Sequence, residues 1–113
     1  MANSKTDSAS VSGTFVNLPV QDLQRSVAFF EALGFACDPQ FTDATAACVI
    51  LGPSHYAMLI THARFKDFTP YARVDAHHST EVLIALQFAS RALVDTVAER
   101  AIDAGGRHFR PPE

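Results

Sequence analysis

The sequence predicts an α+β domain made of a βαβββ unit followed by an incomplete copy of the same unit. Three observations indicate this fold: a strand-like alternation over 14–20, a helical stripe that ends at Gly34, and a second strand–helix pair that starts at residue 81. The 113-residue chain is long enough for one hydrophobic core and leaves no room for a second domain.

The first strand is predicted at 14–20, where TFVNLPV alternates with a period of two. Because Pro19 has no N–H to donate to a sheet ladder, we expect it near the strand end or on a sheet edge. Asn17 shares a face with Phe15, and its amide has two interpretations. It is either a structural group paired with the backbone, or a group that orients a small ligand in a cavity.

The first helix is predicted over about 22–33. Asp22 has the chemistry of an N-cap, apolar residues follow at helical spacing, and Gly34 supplies the left-handed residue that ends many helices. Further strands are separated by the turn-forming sequences TDAT and GPSH. They are expected at 35–41, 45–51 and 55–61.

The second unit is predicted from a strand at 81–88, which begins EVLIAL, and a helix over 91–104. Ser90 is its expected N-cap, and RHFRPPE is expected to start another strand where the chain stops. The organisation that follows is a disordered tail at 1–12 and a single domain at 13–113. Within that domain we expect module one at 14–61, a linker with one short helical turn at 62–80, and a partial module two at 81–113.

Composition excludes several classes of partner. The net charge of −3 and the pI of about 5.9 provide no basic surface for nucleic acid or an anionic membrane. No apolar run is long enough to span a bilayer, and the N-terminal sequence has no secretory h-region, so a cytoplasmic location is expected. Cys37 and Cys48 could form a disulfide in principle, but reduced thiols are the expected state in that compartment.

The stretches VNLPVQDLQRSVAFFEALGF, AMLITH and EVLIAL…VDTVAERAIDAGG resemble the vicinal oxygen chelate superfamily. That superfamily includes glyoxalase I, bleomycin- and fosfomycin-resistance proteins and extradiol dioxygenases, and the closest resemblance is to small bacterial proteins described as predicted lactoylglutathione lyases. The resemblance implies paired βαβββ modules whose curved sheet surrounds a cavity, with the second module here truncated after its helix and one strand. It also implies a divalent metal held on the inner face of the sheet.

The metal ligands implied by the resemblance are largely absent from this sequence. Counting back from Asp22 places the first ligand position at Phe15, and the MLIT segment places the second at Leu59. Neither side chain has a donor atom for a metal ion. The third position falls on Glu81, and the fourth belongs to a strand that this chain does not contain. We therefore predict no metal site and no cofactor, with Glu81 as a weak candidate catalytic group or else an exposed residue at a strand start.

The resemblance implies a cavity that binds a small cytosolic molecule, with catalysis left open. Two alternatives remain: a metal-free protein that sequesters its ligand, as drug-resistance relatives do, and a non-catalytic scaffold completed by a partner chain. A homodimer is expected in any case, with the sheet edges or the faces of 14–20 and 81–88 in the contact. The expected cavity residues are Phe15, Asn17, Leu59, Thr61, Glu81 and Leu83.

Histidines and aromatic residues outside these strands have open roles. His77 and His78 are adjacent and lack a third donor at suitable spacing, so a solvated loop is preferred over a metal site. His55 and His62 flank a predicted strand and could reach the cavity mouth. The linker aromatics either cap the core or form a lid over the cavity; they are Phe65, Phe68 and Tyr71.

Overall fold

A computed structural model describes residues 8–108 of the chain. One four-stranded mixed sheet and three α-helices make up the regular structure of this part. The strands are β1 (Thr14–Val20), β2 (Ala36–Asp38), β3 (Ala46–Gly52) and β4 (His55–Thr61), and the α-helices are α1 (Leu23–Leu33), α2 (His62–Phe65) and α3 (Arg91–Asp103). The predicted α+β fold and the βαβββ order of module one are confirmed.

The sheet has the strand order β1-β4-β3-β2, so β1 and β2 are its two edges. β1 runs parallel to β4, and β3 is antiparallel to both β4 and β2. Pro19 lies on the edge strand β1, where its missing N–H leaves no gap in the ladder. The expectation for this proline is confirmed.

The ends of α1 follow from local sequence chemistry. The Asp22 carboxylate accepts a hydrogen bond of 3.1 Å from the Arg25 N–H, and Gly34 has φ of 109°, a left-handed conformation that glycine adopts without a Cβ clash. The N–H of Phe35 then donates to the Phe30 carbonyl, which completes the C-terminal turn. At α3, the Ser90 hydroxyl caps the helix in the same way.

The core lies between α1 and one face of the sheet. Four side chains of β3 and β4 form its buried centre, and the apolar stripe of α1 packs against them because helical spacing brings these residues to one side. The buried centre comprises Ala47, Val49, Ala57 and Leu59; the helix contributes Leu23, Val27 and Phe30. This cluster holds β1, α1, β3 and β4 together as one unit.

A long side chain of α3 connects this helix to the end of α1. Arg100 of α3 donates from Nη1 to the Leu33 carbonyl over 3.1 Å, close to the end of α1. A Cβ placed on Gly34 would lie 2.8 Å from the same Nη1 atom. The α1–α3 junction therefore depends on a helix C-terminal carbonyl, an arginine and a residue without a side chain.

The predicted strand at 81–88 is wrong, because no strand forms there. The segment is irregular and exposed, and Leu83 is 87% accessible. Its alternating apolar pattern is of the kind that pairs with a neighbouring strand, yet among residues 8–108 no backbone hydrogen bond ties it to the sheet. The alternation is strand-like, but a strand also requires a neighbouring strand with which its backbone can form hydrogen bonds.

Two other predictions need smaller corrections. The strand expected at 35–41 stops at Asp38, whose carboxylate accepts from the Gln40 N–H and starts a 3-10 helix at Pro39–Phe41. The linker contains more helix than expected, because α2 continues into a second 3-10 helix at Lys66–Phe68. The predictions for the tail before residue 8 and for most of RHFRPPE lie outside the described residues.

Candidate functional site

The register of the sheet divides the predicted cavity residues between its two faces. In a parallel pair, residues side by side on the two strands point to the same face, and β1 pairs Phe15 with Tyr56 and Asn17 with Met58. Leu18 pairs with Leu59 on the opposite face, which α1 covers. We call the face of Phe15, Asn17, Tyr56 and Met58 the open face, since none of the α1 core residues lies on it.

An aromatic pair is the most prominent feature of the open face. The rings of Phe15 and Tyr56 are stacked, with centroids 4.6 Å apart and planes inclined by 13°. The Tyr56 hydroxyl donates to the Pro53 carbonyl over 3.2 Å, which fixes the second ring. Phe15 remains 58% exposed, so one ring of the stack is available to a planar group in solution.

Asn17 lies beside this stack with an exposed side chain. Within residues 8–108 its amide makes no hydrogen bond, so a structural role through local backbone pairing has no support there. An amide offers both donors and an acceptor. The arrangement of Phe15 and Asn17 therefore combines an apolar platform with one unpaired polar group.

The row of the sheet that contains Asn17 continues across all four strands. It passes through Met58 and Cys48 to Asp38 on the far edge. Burial raises the pKa of the Cys48 thiol, with a further contribution from the negative charge of Asp38. The Asp38 carboxylate already accepts from Gln40, so this row presents no free acid or base close to Asn17.

Leu59 and Thr61 do not join this site, and the expectation that they share a face with Phe15 needs correction. Leu59 is 1% exposed and belongs to the core beneath α1. The Thr61 hydroxyl accepts from the Arg64 N–H and caps α2. Reading the parallel register would have selected Met58 instead, but the sequence alone does not reveal which residue of β4 faces Phe15.

Glu81 and Leu83 lie on the exposed segment after the linker and on neither face of the sheet. Their assignment to the cavity wall rested on the strand that does not form. Their part in a ligand site remains a prediction that depends on what pairs with this segment.

The metal implied by the superfamily does not fit these residues. The first two ligand positions carry hydrocarbon side chains, and the register places Phe15 and Leu59 on opposite faces. In the part of the chain described, no three His, Cys, Asp or Glu side chains form a group that could hold a metal ion. No step of a reaction can be assigned to a metal at these positions.

Two histidines of the linker, His62 and His77, lie near α1. Burial and the nearby Arg73 charge lower the pKa of His62, while Asp75 acts in the opposite direction. Phe68 is 55% exposed and lies under the Arg64 guanidinium at 4.8 Å. Because Phe68 and Tyr71 are both largely exposed, they do not cap the core, and a lid function remains a prediction.

A cavity of about 620 Å³ lies mainly on the helix side of the sheet and touches the open face at Tyr56. It is bounded by the starts of β1 and β4, by the end of β3, and by residues 84–89. Phe35 and Phe88, whose centroids are 6.4 Å apart, form one side of it. Sequence analysis missed this cavity because it depends on where the irregular segment crosses the sheet.

Comparison with known proteins agrees with this architecture. Residues 13–52 match the family model described as bleomycin resistance protein-like N-terminal. A hypothetical protein from S. aureus has a similar structure, with a TM-score of 0.67 and 26% sequence identity over 86% of this chain and 72% of that one. A glyoxalase/bleomycin resistance protein/dioxygenase family enzyme from Burkholderia phytofirmans PsJN gives a TM-score of 0.58 at 18% identity, covering 80% of this chain and 71% of the other.

The βαβββ module, the matched N-terminal segment and these neighbours make this domain similar to the glyoxalase/bleomycin resistance/dioxygenase family. They support the resemblance to the vicinal oxygen chelate superfamily that the sequence indicated. No curated protein matches the sequence significantly. Among residues 8–108, no helix has the length and apolar character required to cross a membrane.

Proposed function

We propose that this chain is a metal-independent binding domain for a small molecule with a planar apolar part and one polar group. The observation that carries the proposal is the exposed ring of Phe15 next to the unpaired amide of Asn17. Ligand sites typically combine an apolar surface with a few polar groups that fix orientation. The open face has this composition.

Binding is favoured over catalysis because, in the part of the chain that the structure describes, the open face has no suitable reacting group next to Asn17. The carboxylate in the same row is on the far edge, about 14 Å away at the usual strand spacing, and the Cys48 thiol is buried with a raised pKa. A lactoylglutathione lyase or dioxygenase activity would need a metal and a base that these residues do not provide. Ligand sequestration requires neither.

The test is a binding screen with planar aromatic compounds, monitored by amide chemical shifts of the whole chain. We expect shifts at the open-face residues of β1 and β4, and at least tenfold weaker binding in Phe15→Ala and Asn17→Ala. Gln24→Ala, on the exposed side of α1, is the matched control and should bind like the wild type. Shifts confined to other surfaces would refute the site. Near-stoichiometric zinc, nickel or iron in the purified protein, lost in Glu81→Ala, would refute metal independence.

A second copy of the chain is the proposed partner that completes the domain. The Thr14 N–H donates to the Ser54 carbonyl, on the side of β4, so the alternation of a strand turns the N–H groups of Phe15 and Asn17 toward the free edge. Unpaired edges of this kind accept an additional strand. The exposed segment 81–88 has the apolar alternation that such a strand needs.

The chain's own segment does not run along that edge. Phe88 stacks against Phe35, next to β2 at the opposite side of the sheet, so residues 84–89 cross the strand ends. Strand addition by segment 81–88 of a second copy would pair the outward backbone groups of β1 and cover Leu83. It would also bring the partner's Glu81 and the partner's Leu83 toward Phe15 and Asn17, where the sequence predicts a cavity wall.

Light scattering tests the dimer directly. We expect twice the chain mass of 12.3 kDa, and a shift to monomer in Asn17→Pro, which removes an outward N–H as Pro19 already does. Asn17→Ala keeps that N–H and should remain dimeric, and Leu83→Lys should weaken the dimer more than Val74→Lys does at another exposed position. A wild-type monomer with cooperative melting, or a folded Asn17→Pro dimer of unchanged affinity, would contradict this proposal.

The expected absence of nucleic-acid and membrane partners has support from charge. A net charge of −3 opposes binding to nucleic acid and anionic membranes, which is consistent with a small-molecule partner. A cytoplasmic location stays a prediction. Fluorescence imaging of the full chain fused to a reporter is the check on location.

A further inference from the structure

The cavity between the sheet and residues 84–89 lies mainly on the helix side of the sheet and shares Tyr56 with the open face. Its walls include Val16 and His55, which belong to the helix-side face of β1 and β4, opposite Phe15 and Asn17. Its volume of about 620 Å³ is within the range of roughly 300–1,000 Å³ that is typical of small-molecule pockets.

The lining of this cavity is predominantly apolar. Val16 and Leu51 come from the sheet, Ile84 and Leu86 come from the crossing segment, and the rings of Phe35 and Phe88 close one side. Within the described range 8–108, no carboxylate or ammonium group lines it. Such a surface selects an uncharged aromatic molecule, since a charged one would lose hydration without gaining a partner.

Several polar side chains lie at the edge of this apolar space, among them Thr14, His55 and Gln87. The His55 imidazole is exposed, and within residues 8–108 it makes no hydrogen bond. It can therefore donate to or accept from a single polar atom of a bound molecule. An aromatic molecule with one hydrogen-bonding group matches both parts of the lining.

The wall formed by residues 84–89 also gives a route of entry. Among residues 8–108 no backbone hydrogen bond fastens this segment to the sheet, and Ile84 and Leu86 are 45% and 43% exposed, so it can move aside at low free-energy cost.

We infer that the cavity between residues 84–89 and the helix-side face of the sheet is a second binding site, specific for a neutral aromatic small molecule. The inference does not depend on the proposed ligand at Phe15 and Asn17. Bound there, an aromatic molecule would fill space beside Phe35 and Phe88 and hold the crossing segment against the sheet.

N-phenyl-1-naphthylamine, a neutral aromatic amine that fluoresces in apolar surroundings, is a suitable probe. Because the open face could take the same probe, binding is measured in a Phe15→Ala background, where we expect saturable binding of one probe per chain. In that background Ala85→Trp, which adds an indole to the cavity wall, and Phe88→Ala, which removes one ring, should each weaken binding at least tenfold. Phe41→Ala on the exposed 3-10 helix is the control and should change binding less than twofold.

The outcomes separate this site from the one in the proposed function. Loss of probe binding in Phe15→Ala, with Phe88→Ala and Ala85→Trp unchanged, would place the probe on the open face and overturn the inference. Absent or unsaturable binding to the folded wild type would overturn it as well. Circular dichroism melting of each variant identifies any that fail to fold, and in that case Leu86→Ala replaces Phe88→Ala as the test of the wall.

Discussion

Replacing Leu59 and Met58 one at a time by alanine tests the assignment of the two sheet faces. These residues are adjacent on β4 and point to opposite sides. Leu59 is 1% exposed beneath α1, whereas Met58 is half-buried on the open face. If the register is right, the two substitutions should have very different effects on the free energy of unfolding.

The expected magnitudes follow from the atoms removed. Leu59→Ala deletes three buried carbon atoms, worth about 0.8 kcal/mol each in transfer free energy, and the remaining cavity brings the total to about 2–5 kcal/mol. The core around Leu59 has little freedom to collapse, because Ala47 and Ala57 beside it are already small and fully buried. Met58→Ala removes a partly solvated side chain and should cost about 1 kcal/mol.

Urea unfolding followed by circular dichroism measures both free energies, provided that the denaturant slope m is the same for the two variants. The Met58 variant is the matched control, since it shares strand, neighbours and backbone pairing with the Leu59 variant. A loss in Met58→Ala equal to or greater than that in Leu59→Ala would show that the faces are exchanged. The proposed ligand site on the open face would then have to be abandoned.

Three further predictions concern a turn, the thiols and a helix end. Hydrogen bonds from Thr45 lower the pKa of Asp43. The stabilisation by the Asp43 carboxylate is therefore complete above the ordinary aspartate range and is lost as pH falls through the lowered pKa. The Tm of Asp43→Ala should lie below the wild-type Tm at pH 7, and the two Tm values should converge at acidic pH. Burial raises the pKa of the Cys37 and Cys48 thiols. Both cysteines should therefore react slowly with Ellman's reagent at pH 7 and rapidly after unfolding. Fast reaction in the folded protein would contradict their described environments. Gly34→Ala should lower the free energy of unfolding in urea by about 1–3 kcal/mol, because a left-handed residue with a Cβ is strained. The added Cβ would also displace the Arg100 guanidinium at the end of α1. An unchanged stability would argue against this junction.

Module one was predictable because its signals are local. The Asp22 cap and Gly34 define α1 from the chemistry of a few neighbouring residues, and the turn sequences separate β3 from β4. The edge position of Pro19 could also be foreseen, because a missing N–H is tolerated at few places in a sheet. Local chemistry of this kind does not require knowledge of what lies across the sheet.

The features that sequence analysis missed depend on pairing between distant segments. Leu59 could be placed on β4 but not on a face, because the face is decided by the register with β1. The segment at 81–88 has a strand pattern and no strand, because within the chain it crosses the strand ends and does not run along a sheet edge. Asn17 was identified as a candidate, but its unpaired amide beside the Phe15 ring became visible only in three dimensions.

The parallel pairing of β1 with β4 has a consequence for the order in which the domain folds. Thr14 lies beside His55, so β1, the first strand of the module in chain order, must wait for the last strand of the module before it gains a neighbour. The antiparallel hairpin of β3 and β4 can close early, because few residues separate its strands. We expect β1 to be the last strand of this module to acquire protection from amide hydrogen exchange during refolding, at a rate limited by closure of the long intervening loop.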